Sequence, residues 1–265
     1  MRAKIDEIID FYRTNSCDIN EKDLHFSLTF MSKGFQFKQF YIRHDVCAMK
    51  VSEMACLLGV LAPIHPNAHQ IADFGTGTGL LACMLAQRSD ALITAIEMET
   101  NAVLQANENV LQSPFIARIQ VLEADIRLFH CPTLFDLIVC NPPFFEHQLK
   151  SSKAQKAAAW HDTTLRLHEL FEAAIRNLVP QGQLVILLPS SRAEEAISMA
   201  QDFALNLSHR FGIHHHQESA EGYVVLGFQF KKNGPVHYRK IVVHSENKTY
   251  SPLVHGLLQP FYLYL

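Results

Sequence analysis

No stretch of the chain approaches the roughly 18 consecutive apolar residues of a membrane-crossing helix, so no such span is expected. The amino end, Met1-Arg2-Ala3-Lys4-Ile5-Asp6-Glu7, has carboxylates where a secretion signal needs an apolar core, and a cytoplasmic location is expected. Among the six cysteines (Cys17, Cys47, Cys56, Cys83, Cys131 and Cys140) there is no C-x-x-C pair. Several lie in apolar runs, where a reduced thiol packs as a small hydrophobe. Neither sign of charge dominates: 23 basic against 26 acidic residues leave a formal net charge of −3. That balance offers no global attraction for nucleic acid, so such a partner must be met by a local basic patch. Repeats and low-complexity segments are absent, and 265 residues suffice for one large or two small domains with ample core. His214-His215-His216, with His209 nearby, cannot converge on one ion from a strand, because neighbouring side chains point to opposite faces. His65-x-x-x-His69 spans a proline-containing loop, and no metal is expected.

What the chain does carry is a strand that runs into a stiff turn. Leu137 to Cys140 form an unbroken apolar run, as a parallel strand covered on both faces requires. Asn141-Pro142-Pro143-Phe144 follows. The prolines cannot donate to a ladder, and Pro142 drives Asn141 out of the helical region, so the chain leaves the sheet extended. The side-chain carbonyl of Asn141 and the main-chain carbonyl of Pro142 become fixed acceptors, with the ring of Phe144 beside them. An exocyclic amine on adenine or cytosine suits that trio. Its lone pair is delocalised into the ring, and two rigid acceptors on its hydrogens favour a pyramidal nitrogen able to attack an electrophile. Stacking on Phe144 adds about 1–3 kcal/mol. In isolation, the same residues would equally serve as a strand-ending turn with Phe144 in the core.

A glycine-rich turn lies upstream. Residues 70–74 read as a short strand, and Gly75-Thr76-Gly77-Thr78-Gly79 turns it into an apolar helix over 80–87, letting backbone approach a ligand at a helix amino end. A second strand over 92–96 ends at Glu97, where an acidic side chain reads the two hydroxyls of a bound ribose. A helix over 101–111 and a strand over 119–122 lead to Asp125, either a ligand contact or a helix cap. Beyond Asn141, a polar loop over 146–156 is expected to be mobile above the site. Helices over 163–178 and 192–205 then alternate with strands over 183–188, 207–215 and 223–230. An edge strand over 238–244 follows, and Phe261-Tyr262-Leu263 closes against the body. Near the amino end, Ile5, Ile8, Ile9 and Tyr12 sit at helical spacing in an extension over 1–33. Lys33, Lys38, Arg43, His44 and Lys50 interleave with Phe35, Phe37 and Phe40 in a strand or hairpin. Those charges are either solvated on a half-buried strand or form an edge that binds phosphate and stacks bases. The alternation specifies an α/β fold: a doubly wound, mostly parallel seven-stranded sheet, flanked by the edge strand, with helices on both faces. Ligands in such a sheet lie outside the carboxyl ends of the strands, near the topological switch point.

Many separated motifs occur in one order: Phe37-Lys38-Gln39-Phe40, Ala48-Met49-Lys50-Val51, Leu57-Leu58-Gly59, Asp73 to Leu80, Met84-Leu85-Ala86-Gln87-Arg88, Gln105-Ala106-Asn107-Glu108-Asn109, Ser113-Pro114, Asn141-Pro142-Pro143-Phe144 and Phe261-Tyr262-Leu263. Together they resemble the bacterial tRNA1(Val) adenine-37 N6-methyltransferase family, class I Rossmann-like enzymes dependent on S-adenosylmethionine. The resemblance implies one methyltransferase domain over 34–265. It places Asp73, Gly75, Thr76, Gly77 and Gly79 around the methionine part of S-adenosylmethionine with Lys50 beside them, Glu97 on the ribose, and Asp125 with Ile126 on the cofactor's adenine. Asn141, Pro142, Pro143 and Phe144 would hold the target base, Asn141 also facing the cofactor. A tRNA anticodon loop would be the partner, met by Lys33, Lys38, Arg43 and His44, on an enzyme of open oligomeric state with a monomer favoured. Two departures stand out. Ser52-Glu53-Met54 occupies the place of a usual Gly-Thr-Asp, altering cofactor-side contacts. Trp160-His161-Asp162 precedes Thr163-Thr164-Leu165 where Arg-His or Arg-Tyr is usual, removing a phosphate contact. Other readings are methylation of another nucleic acid or of a protein glutamine amide, a cofactor-binding module without catalysis, and an NAD-binding protein. Against NAD, the turn lacks Gly-x-Gly-x-x-Gly spacing, and hydride transfer gives Asn-Pro-Pro-Phe no role.

Overall fold

The computed structural model describes residues 34–47, 50–142, 165–231 and 234–265. The chain opens with a hairpin, β1 (Gly34–Gln36) and β2 (Tyr41–Arg43). Next come α1 (Glu53–Leu61), β3 (Gln70–Phe74), α2 (Leu80–Arg88), β4 (Leu92–Glu97), α3 (Thr100–Leu111), β5 (Ile119–Glu123) and β6 (Phe135–Cys140). Then follow α4 (Leu167–Asn177), β7 (Leu178–Pro189), a 3-10 turn (Ser190–Arg192), α5 (Ala193–Asp202), β8 (Asn206–His214), β9 (Glu221–Gln229), β10 (His237–Val242) and α6 (Pro252–Leu258). The expectations for residues 1–33, for the loop over 146–156, and for Lys33, Pro143, Phe144 and Trp160 lie outside the described residues.

The main sheet has eight strands in the order β10-β8-β9-β7-β6-β3-β4-β5. It comprises the seven strands of the doubly wound pattern and the edge strand, β10, which runs parallel to β8. Only β9 runs against its neighbours. Burial alternates along the central strands as the two-residue period demands. Leu137 and Val139 of β6, with Val185 and Leu187 of β7, enter one core with α1, α2, α6 and the hairpin. Ile138, Cys140, Ile186 and Leu188 enter the other, under α4 and α5. Each fully buried aliphatic side chain there contributes about 1.5–3 kcal/mol.

Local chemistry sets the helix ends. Ser52 caps α1 through its hydroxyl on the Ala55 N–H (3.2 Å), the use the fold makes of Ser52 in Ser52-Glu53-Met54. Gly59 lets α1 approach α2: a β-carbon there would stand 2.6 Å from the Met84 sulfur. The largest difference from the expected boundaries lies between α4 and β7. The helix over 163–178 gives way at Asn177, whose buried amide bonds the carbonyls of Ala173 and Phe129 while its oxygen accepts from the Cys131 N–H. β7 therefore begins at Leu178 rather than at 183, with a register irregularity against β6. The sequence reading had no helix over Pro252–Leu258. There, Ser251 caps with Pro252 in the first turn, and α6 carries Phe261 and Tyr262 to the hairpin, where Phe37 bridges Tyr262. Phe261 and Tyr262 are buried as expected, but Leu263 is exposed. No helix of the described residues is long and apolar enough to cross a membrane.

Candidate active site

β3 and β6 are neighbours, yet the chain visits β4 and β5 between them, so the switch point falls where these two strands end. Phe74 pairs with Cys140, so the glycine turn and Asn141 leave the sheet side by side. A cavity of about 250 Å³ opens there. Lys50, Gly75, Thr76, Gly77, Glu97, Asp125, Ile126, Asn141 and Pro142 all line it, bringing together most of the cofactor-side residues named from the sequence. Asp73 and Gly79 do not.

Gly75, Gly77 and Gly79 have φ of +72°, +55° and +80°, in the left-handed region that favours glycine. A β-carbon on Gly75 or Gly77 would meet nothing within 4 Å, so the turn offers bare backbone to open space, whereas one on Gly79 would touch Ala106 at 3.6 Å. Gly79 thus packs behind the turn. Asp73 also works from behind: it is fully buried, and its Oδ2 accepts from the Thr76 hydroxyl (2.5 Å) and the Ala82 N–H (3.1 Å). Burial pushes its carboxyl up to about 7 against those two hydrogen bonds, which favour the charged form. Asp73 therefore braces the turn rather than facing the cavity.

Three backbone amides fix Glu97. Oε2 accepts from the Gly77 N–H (3.0 Å), and Oε1 from those of Met98 (2.9 Å) and Glu99 (3.0 Å). A carboxylate has about four acceptor positions, which leaves room for one strong ligand donor rather than two. No helix follows Asp125 for it to cap. Asp125 lines the cavity, and it closes the next turn, its carbonyl accepting from Leu128 and Phe129 and its carboxylate from the Arg127 N–H. The Arg127 guanidinium reaches both Asp125 oxygens (2.9, 2.9 and 2.6 Å) and holds that carboxyl below the usual range. Arg127 also lines the cavity, and the sequence reading passed over it; the signal was the short Asp125-Ile126-Arg127 spacing.

Asn141 lines the same cavity, and its Oδ1 is buried with no hydrogen-bond partner among the described residues. A buried amide oxygen without a donor is costly, and a site awaiting a donor explains it. Two thiols also line the cavity. Burial raises Cys47 to about 11 and Cys140 well above its ordinary value, so neither is a nucleophile at neutral pH.

Basic side chains of the hairpin segment are already engaged within the protein. Arg43 is paired with Asp45 (3.0 Å) and Glu108 (2.9 Å), and Lys38 reaches the Gln259 carbonyl (2.6 Å). His44 accepts from the Val51 N–H at 3.3 Å, and burial, then Lys50, lowers its pKa. Phe37 and Phe40 are in the core, not on a stacking edge. Buried amides on α3 hold this segment: Asn109 bonds the Arg43 backbone and the Thr78 carbonyl, and Gln105 bonds the Cys47 N–H and Asp45. His214 bonds the Ser219 carbonyl, and among the described residues no group of three or more His, Cys, Asp or Glu is placed to hold a metal ion.

A doubly wound sheet with a bare-backbone glycine turn, an acidic end on the next strand and an Asn-Pro turn across the switch point defines a class I, Rossmann-like methyltransferase. The chain belongs to the methyltransferase small domain family, whose model matches residues 52–227, and to the family of its curated relatives. It is 38% identical over 234 residues to the tRNA1(Val) (adenine(37)-N6)-methyltransferase of Actinobacillus pleuropneumoniae serotype 5b, covering 88% of this chain and 98% of the relative. Relatives of the same name in Phocaeicola vulgatus (39% identical; 86% of this chain, 97% of the relative) and Shigella dysenteriae serotype 1 (35%; 88% and 96%) are similar. Among solved structures, a predicted O-methyltransferase from Agrobacterium tumefaciens shares the fold with a TM-score of 0.62 at 22% identity, covering 79% of this chain and 97% of that one. The glycopeptide N-methyltransferase MtfA complexed with S-adenosyl-L-methionine does so with a TM-score of 0.52 at 9% identity, covering 70% and 97%.

Proposed function

We propose that this protein methylates the N6 amine of adenine 37 in tRNA1(Val), the reaction in its relatives' name, with S-adenosylmethionine as donor. The observation that carries the reading is the buried Asn141 oxygen without a donor among the described residues, on the same cavity as a glycine turn whose backbone faces open space. The residues present fit the donor molecule: Gly75 and Gly77 leave room against their backbone, Glu97 keeps one acceptor position that would take a ribose hydroxyl, and Asp125 with Ile126, on the same cavity, would hold the adenine. Bound there, S-adenosylmethionine supplies an electrophilic methyl group on a sulfonium.

The chain's own groups do the rest. The Asn141 oxygen and the Pro142 carbonyl accept the two N6 hydrogens, drawing the nitrogen toward a pyramidal shape whose lone pair is no longer shared with the ring. Phe144, beyond the described residues, takes the stacking role its motif implies. As the N–C bond forms and the methyl–sulfur bond breaks, its electron pair staying on sulfur as a neutral thioether, positive charge develops on N6, and the two acceptors strengthen with it, which is where rate is gained. The proton leaves N6 afterwards to water, so no titrating base is needed beside Asn141. A paired adenine cannot reach a recessed turn, so the base must be extruded from a single-stranded loop, such as an anticodon loop. Lys38 and His44 remain assigned to the RNA, while Arg43 serves the Asp45 and Glu108 pairs. The test is single-turnover transfer of labelled methyl to total tRNA, followed by nucleoside analysis. Label on N6-methyladenosine in a valine tRNA supports the reading; label on cytosine or on protein refutes it.

A further inference from the structure

Arg166 and Arg192 come from different elements, just before α4 and at the end of the 3-10 turn after β7, yet they line one small depression. Pro142 and Leu165 form part of its wall, and the same two residues line the large cavity, so the two spaces share a partition at the turn that receives the target base. The depression holds about 10 Å³, near the room one water or one phosphoryl oxygen takes. Leu167, Leu170 and Leu188 form its apolar floor.

Acidic residues of α4 and α5 stand beside both arginines. The Arg192 guanidinium is held in one orientation by the half-exposed Glu195 through Nε and Nη2, both at 3.0 Å, and this pairing holds the Glu195 carboxyl below its usual range. Glu169 accepts from the Arg166 N–H at 2.8 Å, fixing the backbone there. Guanidinium groups bind phosphate through planar, paired donors better than an ammonium does. The one arginine of the hairpin segment, Arg43, is tied to Asp45 and Glu108 and its backbone is held by α3, so a guanidinium contact beside the extruded base has to come from elsewhere.

The geometry points to a phosphodiester site: Arg166 and Arg192 grip a backbone phosphate next to the nucleotide whose base enters at Asn141. A base and its own phosphate are joined by a single sugar, and two spaces that share Pro142 and Leu165 in their walls are neighbours in that sense. This inference rests on the nucleic-acid reading of the same turn. Arg166 and Arg192 are positioning residues, acting through the strand and not on the reacting atoms.

The experiment measures steady-state methyl transfer to tRNA, cofactor affinity by calorimetry and melting temperature for the parent, Arg166→Gln/Arg192→Gln, Arg166→Lys/Arg192→Lys and Glu195→Gln. The glutamine pair is expected to raise KM for tRNA about tenfold or more and to flatten its salt dependence by about one to two contacts, with kcat and cofactor affinity nearly unchanged. The lysine pair should recover part of the KM. Glu195→Gln should lower KM, since it removes a carboxylate that competes for Arg192, an effect no structural role predicts. A glutamine pair with the parent's KM and salt slope overturns this inference and leaves the tRNA reading intact. One that melts early or loses cofactor binding overturns it too, because the arginines would then serve the fold. A parent that binds cofactor yet labels no tRNA overturns both.

Discussion

Replacing Glu97 with glutamine tests whether the carboxylate or only its shape organises the cofactor side. Both oxygens accept backbone N–H groups from opposite directions, Gly77 on Oε2, Met98 and Glu99 on Oε1. An amide has only one acceptor oxygen. Whichever way it turns, its NH2 confronts either the Gly77 N–H or the Met98 and Glu99 pair, donor against donor. Each hydrogen bond to a charged group contributes about 1.5–3 kcal/mol, and Glu97 is only half-buried, which favours the lower end. Glu97→Gln should then weaken S-adenosylmethionine binding by roughly 2 kcal/mol, about thirtyfold in Kd, as much as Glu97→Ala, whose three amides can turn to water. Isothermal calorimetry with S-adenosylmethionine or S-adenosylhomocysteine reads this directly. A glutamine variant that binds within threefold of the parent while the alanine variant fails would refute the reasoning.

Asn141→Ala should lose more than about 100-fold in kcat with cofactor affinity within twofold, because its acceptor strengthens only as charge develops on the amine; equal single-turnover rates would contradict this. Gly59→Ala puts a methyl group against the fully buried Met84 and should cost about 1–3 kcal/mol in urea unfolding, with loss of less than 0.5 kcal/mol counting against the close α1–α2 contact. Asp73 has a folded pKa of about 7 against 3.8 when unfolded, so its contribution is fully present below pH 4 and is lost as pH rises through 7. Between pH 5 and 7 the parent should therefore lose roughly 2–3 kcal/mol of stability relative to Asp73→Asn, and parallel pH profiles would show that burial does not hold the proton on. Asn109→Ala leaves the Thr78 carbonyl and the Arg43 backbone without their amide partner and should cost about 2–4 kcal/mol, with a lower melting temperature and weaker cofactor binding.

The legible parts of this fold are those set by short-range rules. A two-residue burial period, left-handed glycines and a proline pair are local properties, and they located β3, β4, β5, β6 and the turns that end them to within a residue or two. α6 was legible in principle, since Ser251-Pro252 is a capping pair followed by Leu253, Val254, Leu257 and Leu258. Where β7 starts was not, because it depends on Asn177 finding Phe129 and Cys131, partners far away in sequence.

The site shows the same division between residue type and partner. That Glu97, Asp125 and Asn141 stand at strand ends followed from the pattern; which groups each already holds did not. Arg43 is basic in sequence and neutralised in space, because α3 brings Glu108 to it. Asp73 belongs to the glycine motif yet faces inward, since Thr76 and Ala82 lie behind the turn. Gln105 and Asn109 reverse the case: they look like ordinary polar residues on a helix, but they join the hairpin to α3, and Asn109 also grips the glycine turn. The residue between them has a part in this as well. Ala106, between them, is the small residue against which Gly79 packs, so one turn of α3 sets the glycine backbone and the hairpin at once.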